Sequence, residues 1–428
     1  MLKVKRIIHP YSKVKHVGKI KPYLDVAQNK KYSSVFSDNY PISSNVIEKI
    51  GRKMGPLDGV KVIEMAAIGP VPFCAMMLSD MGAEVIRVDR LNQKGSGHRA
   101  NVLFRGRKSV AVDLKNPLGV ETTLELIDQA DIVIEGFRPG VMERLGLGPE
   151  VCAERNRRII YGRMTGWGQE GPLSQAAGHD INYISIAGAL GSMGYPDRPP
   201  TPPLNLVGDF GGGAMYLLSG VLAALVERST SGLGQVIDAA MTDGTASLLS
   251  PFFGMMAMNM WTPDRYKNRL DGGAFYYGSY ECKDGKHISI GSLEPQFYSL
   301  LLEKCGITDE VFEEQLDQET WSEKREKLEA IFKTKTRNEW CGIMEGTDVC
   351  FAPVLDLEEA PDHPHNKARE TYIEFEGVTQ PAPAPRFSRT ESSISSSAAL
   401  IGENTDEILT SWGFSEEKIT SLKKERAI

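Results

Sequence analysis

The sequence lacks several features that mark common protein classes. Its six cysteines include no Cys-x-x-Cys pair, which argues against a zinc ribbon or a disulfide framework and favours a reducing compartment. The longest apolar run, residues 216–226, is too short for a membrane-spanning helix. The net charge of −7 gives no general excess of cations for nucleic acid or a membrane surface. We therefore expect a globular protein with no nucleic-acid partner and no membrane span.

The first 53 residues differ in composition from the rest of the 428-residue chain. Residues 1–37 contain nine lysines and arginines, and Asp25 is their only acid. They have no apolar segment of the kind that a secretory signal needs, and Arg6 is too isolated for a typical transit peptide. We predict a disordered basic extension before a folded region that begins near Met54. The cytoplasm is the favoured location, with the mitochondrion or the peroxisome as alternatives in a eukaryotic cell.

From Gly59 onward, short apolar strands alternate with helical patterns. Strands are predicted at residues 60–65, 84–88, 108–114, 131–136 and 158–163. Asn116 and Pro117 provide a cap and a preferred first residue for one of the intervening helices. Alternation of this kind predicts an α/β fold with a parallel sheet and helices on both faces.

A smaller α+β unit is predicted after this sheet. Asp284-Gly285 is a hairpin signal, Pro295 opens a helix, and Thr336 with Glu339 forms a capping box. The predicted division is listed in chain order: basic extension 1–53, large domain 54–240, linker 241–274, small α+β domain 275–380, and a C-terminal segment 381–428 that returns to the large domain.

The turn after the first strand does not fit a redox dinucleotide. Residues 66–72 contain no G-x-G-x-x-G, and Pro70 and Pro72 lack the amide donors that a pyrophosphate would use. A different chemistry is indicated by His179-Asp180 and Gly208-Asp209. A histidine and a carboxylate, each in a glycine-flanked turn, can remove a proton from one face of a carbon and return it to the other. We expect Asp209 just before a helix at residues 214–228, whose dipole would keep it ionised.

Several segments then identify a family. Residues 55–64, 81–89, 238–241 and 402–409 resemble the family III CoA-transferase superfamily. Residues 178–183, 208–209 and 291–298 resemble its α-methylacyl-CoA racemase branch. The resemblance covers residues 54–428. It implies that family's fold, a Rossmann-like parallel-sheet large domain with a smaller α+β domain, in an interlocked homodimer.

The resemblance also implies a reaction. It predicts a racemase that interconverts (2R)- and (2S)-2-methylacyl-CoA thioesters by 1,1-proton transfer through an enolate. No metal and no separate cofactor are expected, because CoA is part of the substrate and backbone amides of the Gly178–Asp180 turn can hold the thioester oxygen. The resemblance assigns His179 as the base on one face of C2 and Asp209 as the acid/base on the other. It pairs Glu294 of the second subunit with the His179 imidazole.

The CoA contacts are implied by the same resemblance. They are Arg90, Val112, Asp113, Leu114, Lys115, Gly136, Phe137, Arg138, Arg144, Gly178, Asp180, Ile181, Asn182 and Tyr183. Arginine suits phosphate groups because its planar fork donates two hydrogen bonds at once. Val112 stands where a small alanine is common in the branch, and a main-chain contact is expected there.

Alternatives remain at this point. In a CoA-transferase, Asp180 would be a nucleophile that forms an acyl and then a CoA thioester, although a histidine does not normally precede it in that branch. A non-catalytic CoA-binding protein is a third possibility. Methionines between Met241 and Met260 could form a deformable acyl-binding surface, but we expect them in the core. His363 and His365 lack nearby cysteines, so a loop motif is favoured over a metal site.

Overall fold

The structure, a computed structural model, describes residues 55–428. The predicted basic extension, residues 1–53, lies outside the described residues. So does Met54, the expected start of the folded region.

A six-stranded parallel sheet organises the first part of the described chain. Its strands lie in the order β3-β2-β1-β4-β5-β6, and every neighbouring pair is parallel. The predicted parallel α/β sheet is therefore confirmed. The strands are β1 (Lys61–Met65), β2 (Glu84–Arg90), β3 (Lys108–Val112), β4 (Ile132–Glu135), β5 (Ile160–Thr165) and β6 (Val236–Ala240). The first five strands were predicted from the sequence, whereas β6, which pairs with β5 at the edge of the sheet, was not.

Helices cover both faces of this sheet, as a parallel sheet requires. They are α1 (Pro70–Asp80), α2 (Pro117–Asp128), α3 (Val141–Arg144), α4 (Pro149–Arg155), α5 (Asp180–Ile186), a π-helix (Leu206–Ala214) and α6 (Met215–Ser231). The predicted cap of α2 is present, because Asn116 Oδ1 accepts a hydrogen bond of 3.0 Å from the Leu118 N–H. Helices α1 and α6 share one apolar cluster with the sheet, in which Val71, Leu78 and Val221 are fully buried.

The π-helix and α6 form one continuous helical run, Leu206–Ser231. By length and composition alone this run is apolar enough to cross a membrane, a test that core helices of globular proteins also pass. Leu217, Leu218, Val221 and Ala224 of α6 are buried in the cluster beside the sheet. Its apolar character therefore has a packing role in this fold.

The next segment contains more helix than predicted. Residues 241–274 were expected to be a long connection, but they include α7 (Met241–Leu248) and α8 (Ser250–Ala257). Helix α7 packs on the π-helix, where Gly212 and Gly244 lie in close backbone contact. Local sequence disfavours these helices, so tertiary packing is the main source of their stability.

The α+β part has its own aromatic core. A three-stranded antiparallel sheet contains β7 (Tyr277–Glu281), β8 (His287–Gly291) and β9 (Phe351–Val354) in that order. It packs with α9 (Pro295–Cys305), α10 (Trp321–Phe332) and α11 (Arg337–Met344) around buried Phe275, Tyr280 and Trp340. The predicted hairpin turn at Asp284-Gly285 and the capping box of Thr336 and Glu339 are both present.

The last elements are α12 (Pro364–Ala368), a hairpin of β10 (Tyr372–Phe375) and β11 (Val378–Pro381), α13 (Thr405–Ser411) and α14 (Glu416–Lys424). Helices α13 and α14 join the apolar cluster on the second face of the sheet. The Asp113 N–H donates to the Ala427 carbonyl over 2.9 Å, which ties the end of the described chain to the turn after β3. The exact domain boundaries stay a prediction.

A buried ion pair links β1 to the segment before β3. Arg107 Nη1 donates to both carboxylate oxygens of Glu64, at 3.0 and 2.9 Å, and to the Pro72 carbonyl at 2.9 Å. Both charged side chains have 0% exposure. Burial raises the pKa of Glu64 and lowers the pKa of Arg107, so each charge depends on the other.

Candidate active site

The predicted proton carriers lie beside one cavity at the carboxyl edge of the parallel sheet. Its volume is about 510 Å³, and both His179 and Asp209 line it. The other walls are the turn after β1, the loop after β4 and the segment after β5. Ligands bind at this edge in open parallel sheets, because all the strand-to-helix loops converge there. We call this space the His179 cavity.

His179 is the residue that precedes helix α5. Its backbone is extended, with φ −133° and ψ 173°, and its N–H donates to Asn182 Oδ1 over 3.0 Å. The predicted turn at Gly178–Asp180 is thus the start of a helix. The His179 side chain is exposed to solvent. The start of the helix fixes the backbone of His179, and the exposed side chain can exchange protons with water.

Asp209 does not lie before a helix, as the sequence analysis expected. It lies inside the π-helix Leu206–Ala214, in which the Met215 N–H bonds to the carbonyl of Phe210, five residues earlier. Asp209 is therefore in the first turn of a helical run and not just before the helix. π-Helical turns are rare and occur often at functional sites.

The environment of Asp209 favours its protonated form. Burial raises the pKa of Asp209 above the usual range of an aspartate, and the nearby Asp180 carboxylate adds to the rise. Asn205 Nδ2 donates to Asp209 Oδ2 over 3.0 Å and opposes the shift, as does His179. The carboxyl is thereby suited to carry a proton as well as to accept one.

Gly69 leaves room for the Asp209 carboxylate. This residue precedes α1 with φ +67°, a conformation that favours glycine, and a Cβ there would lie 3.0 Å from Asp209 Oδ2. The turn after β1, which the sequence analysis examined only for phosphate binding, is thus a wall of the His179 cavity.

Asp180 links the two proton carriers. Its side chain is 6% exposed, and Oδ1 accepts the Asp209 N–H over 2.6 Å. A Cβ on Gly208 would lie only 2.4 Å from the same oxygen. The carboxylate therefore lies tightly between α5 and the π-helix.

Tyr183 anchors the glycine that precedes His179. Its hydroxyl donates to the Gly178 carbonyl over 2.5 Å, and its ring packs edge-to-face on Trp167 with centroids 4.8 Å apart. Burial raises the pKa of Tyr183, with a contribution from Asp209, so the phenol stays a donor. Both aromatic residues line the His179 cavity.

The loop after β4 is held by a charged group beneath it. Gly136, Phe137 and Arg138 line the cavity, and the Phe137 N–H donates to Glu135 Oε2 over 2.7 Å. Arg163 of β5 donates to Glu135 Oε1 over 3.0 Å and lies 2.8 Å from Glu143 Oε1. Burial raises the pKa of Glu135 to about 6. One arginine thus connects β4, β5 and α3 below a predicted CoA-binding loop.

The remaining predicted CoA contacts lie along the same sheet edge but outside the His179 cavity lining. Arg90 and Val112 are register partners at the ends of β2 and β3, and Arg90 is exposed. Val112 is 1% exposed and belongs to an apolar cluster beside the sheet, so its side chain does not face a ligand. Asp113, Leu114 and Lys115 follow in the next turn, Arg144 ends α3, and Ile181 and Asn182 are exposed in the first turn of α5.

Glu294 is not among the residues that line the His179 cavity of the same chain. It is exposed, it precedes α9, and its side chain makes no capping hydrogen bond. Burial raises the pKa of the Cys350 thiol, and the nearby Glu294 carboxylate adds to the rise. Its predicted pairing with His179 is not formed within one described chain.

Several cavity residues were missed in the sequence analysis. Gly69, Asn205 and the segment Met164–Trp167 line the cavity without belonging to a chemical motif. The position of residues 164–167 directly after a predicted strand was the available signal, because the carboxyl ends of parallel strands form the site.

Within residues 55–428, no group of three or more His, Cys, Asp and Glu side chains is arranged to hold a metal ion. His363 instead caps α12 by accepting the His365 N–H over 3.3 Å, and its Nε2 lies 2.9 Å from Glu345 Oε1.

The methionines after α7 are not core residues, contrary to expectation. Met241 is 7% exposed, but Met256, Met258 and Met260 are 43%, 61% and 58% exposed. Met255 and Met260 line a second cavity of about 560 Å³ that also includes Leu293, the residue before Glu294.

Comparisons with known proteins agree with these features. The sequence profile of CoA-transferase family III matches residues 57–405. The chain is 44% identical to alpha-methylacyl-CoA racemase of Mus musculus and 42% identical to that of Homo sapiens, in each case over 87% of this chain and 97% of the relative. The crystal structure of a CaiB/BaiF family protein from Brucella suis superimposes with a TM-score of 0.73 at 26% identity, covering 84% of this chain and all of the other.

Proposed function

Because this chain belongs to CoA-transferase family III, and because its racemase relatives match it over most of its length, we propose that it is an isomerase that racemises 2-methyl-branched acyl-CoA thioesters at C2. One observation carries the proposal. The histidine and the aspartate of the racemase motif, 30 positions apart in the chain, line a single cavity at the ligand-binding edge of the sheet.

The reaction is a pair of proton transfers. His179 takes the C2 proton, and the electrons of the C–H bond move into the thioester to form an enolate. Asp209, in its protonated form, delivers a proton to the other face of C2. In the reverse direction, Asp209 is the base and the protonated His179 is the acid. The raised pKa of Asp209 supports this role, because it helps the carboxyl to hold the proton that it delivers.

Stabilisation of the enolate oxygen is assigned to backbone amides at the start of α5. The first N–H groups of a helix have no acceptor within the helix, and they lie next to His179 here. Donors fixed in this way stabilise a developing negative charge without rearrangement. No metal or redox cofactor is required by this chemistry.

The CoA moiety is proposed to lie along the carboxyl edge of the sheet. Arg138 of the cavity wall and Arg90 at the end of β2 are exposed and suit its phosphate groups. Contacts with CoA far from C2 contribute binding energy that orients the reacting carbon.

A homodimer completes the proposal. Glu294 does not line the cavity of its own chain. Its carboxylate is exposed and makes no capping hydrogen bond, so it is available to a second copy of the chain. Paired with the His179 imidazole of that copy, it would raise the basicity of the ring. The active site would then contain residues from both subunits.

The CoA-transferase alternative receives less support. Its nucleophile would be Asp180, whose carboxylate is 6% exposed and already accepts the Asp209 N–H. A nucleophile must instead reach a carbonyl carbon in the cavity.

The test is incubation of the full chain with one epimer of a 2-methylacyl-CoA in D2O, followed by proton NMR at C2. We expect loss of the C2 proton signal together with appearance of the other epimer. No exchange at high protein concentration would contradict the proposal. Transfer of CoA to a free carboxylic acid, with an intermediate trapped by hydroxylamine, would indicate the transferase.

A further inference from the structure

We propose that Asp180 is a positioning residue that sets the placement of Asp209 relative to His179, and that its carboxylate is not a nucleophile. The inference rests on the proposed racemase function. Asp180 shares a peptide bond with His179, while its side chain holds the backbone N–H of Asp209 at 2.6 Å. One residue therefore connects the two proton carriers through a covalent bond on one side and a hydrogen bond on the other.

The packing around Asp180 makes this connection stiff. The side chain is 6% exposed, and Gly208 leaves just enough space for it, because a Cβ there would lie 2.4 Å from Oδ1 and 2.9 Å from Cγ. Ile184 of α5 lies on the same side, with its Cγ2 3.0 Å from that Cβ position. If the Asp180 carboxylate rotated toward the cavity, it would lose its hydrogen bond to the Asp209 N–H and leave a gap beside Gly208.

The π-helix depends on hydrogen-bond acceptors outside itself, and the Asp180 carboxylate is one of them. Its backbone bonds run over five residues, and such segments rarely persist without support from their surroundings. The Asp180 carboxylate supplies a charged acceptor to the N–H of Asp209 itself, and charge-assisted hydrogen bonds are among the strongest in proteins. Within residues 55–428, its second oxygen, Oδ2, has no hydrogen-bond partner.

The Asp180 charge also changes the proton affinity of the Asp209 carboxyl. The charged or titratable groups around the Asp209 carboxyl are His179, Asp180 and Tyr183, and Asn205 donates to it. Among these, Asp180 raises the pKa of Asp209. With the epimer from which Asp209 removes the proton, Asp209 must start ionised, so removal of the Asp180 charge should move the acid limb of the pH profile to lower pH.

Loss of the hydrogen bond should separate two events that the intact enzyme couples. In D2O, the epimer that presents its C2 proton to His179 can lose that proton and regain deuterium from the same side, because the exposed imidazole exchanges with solvent. Inversion also requires Asp209 to deliver a proton to the other face. If Asp209 is misplaced, exchange continues while inversion slows.

The experiment measures exchange and inversion at C2 by NMR, from each epimer, for Asp180→Ala and Asp180→Asn. In Asp180→Ala the inversion rate should fall about 10²-fold, the cost of a misplacement of about 1 Å, while exchange from one epimer falls far less. Asp180→Asn keeps a carbonyl oxygen for the Asp209 N–H. It should restore the ratio of inversion to exchange and, with the epimer from which Asp209 removes the proton, shift the acid limb to lower pH.

A second pair of variants tests the same contact without altering Asp180. Gly208→Ala places a methyl group against the Asp180 carboxylate and should lower the same ratio. Gly211→Ala is the matched control in the same π-helix, where a Cβ would meet nothing closer than 3.1 Å, and the ratio should stay at the wild-type value.

The outcomes separate this inference from the proposed function. A wild-type protein that neither exchanges nor inverts contradicts the racemase proposal itself. A racemising wild type with an unchanged ratio in both Asp180→Ala and Gly208→Ala overturns the positioning role. Abolition of all activity in Asp180→Asn, together with an intermediate in the wild type that hydroxylamine traps, would make Asp180 a nucleophile.

Discussion

Arg163 lies opposite Glu135 in the register of β4 and β5 and donates a 3.0 Å hydrogen bond to its carboxylate. The other carboxylate oxygen accepts the Phe137 N–H, so the pair holds the first residues of a loop that lines the His179 cavity. We infer that this pair fixes the shape of the loop at which CoA is proposed to bind.

The first prediction concerns that pair. Glu135→Gln should raise KM for an acyl-CoA about tenfold or more, the cost of a lost charged hydrogen bond, while kcat changes little. In the wild type, KM should rise as pH falls below about 6, because protonation of Glu135 weakens its bonds to Arg163 and Phe137. The variant should lack this rise. Steady-state kinetics across pH measures both effects.

Glu143→Gln is the matched control for this prediction. Glu143 also pairs with Arg163, but its side chain does not bond the Phe137 N–H, so a smaller rise in KM is expected. A fall in kcat with an unchanged KM in Glu135→Gln would contradict a role in binding.

The second prediction concerns Asn205. Its amide donates to the Asp209 carboxylate and stabilises the charged form. Asn205→Ala should therefore raise the pKa of Asp209 further and, with the epimer from which Asp209 removes the proton, move the acid limb of kcat/KM to higher pH. Ser174→Ala, which alters the same cavity wall without a bond to Asp209, should leave the limb in place. A shift to lower pH in Asn205→Ala would show that another group controls the limb.

The third prediction tests the shared active site. His179→Ala should lower kcat/KM about 10²–10⁴-fold, the usual contribution of a general base, whereas His287→Ala, at an exposed position of β8, should not. Glu294→Gln should also be strongly impaired. An equal mixture of the His179→Ala and Glu294→Gln chains, unfolded and refolded together, should regain about a quarter of wild-type activity, because each mixed dimer contains one intact site. If Glu294 acts within its own chain, the mixture gains nothing.

The fourth prediction concerns the buried pair of Glu64 and Arg107. Arg107→Met should lower the free energy of unfolding by about 3–5 kcal/mol, because it leaves a carboxylate buried without its partner. The double variant Glu64→Leu with Arg107→Met should lose less than the sum of the two single variants. Guanidinium chloride unfolding provides the measurement. Strict additivity would mean that the two side chains do not interact.

Much of the fold could be predicted because several segments carry local signals that agree with their final structure. Asn116-Pro117 starts α2, and Thr336 with Glu339 starts α11, since capping depends only on neighbouring residues. Helices α7 and α8 were missed because Gly244, Gly254 and the serines of both helices weaken the helical pattern locally. Helix α7 packs against the π-helix and α5, and α8 packs against α7.

The reactive groups of the candidate site could be predicted from the sequence, but the residues that shape the cavity around them could not. His179 and Asp209 were identified by motif, and the structure brings them to one cavity. Gly69 and Asn205 were not, because a glycine that makes room and an amide that donates one hydrogen bond have no distinctive pattern in a sequence. The role of Asp180 depends on a contact across 29 residues, which only the fold creates.

The π-helix makes the site sensitive to chain length as well as to residue type. Deletion of one residue between Leu206 and Ala214 would allow the ordinary four-residue bonding pattern, in which each residue turns by about 100° around the helix axis, more than in a π-helix, so side chains within the segment would change direction. The Asp209 carboxyl would then leave the cavity although every chemical group of the site remained. In this segment, an insertion or a deletion is a more severe change than most substitutions.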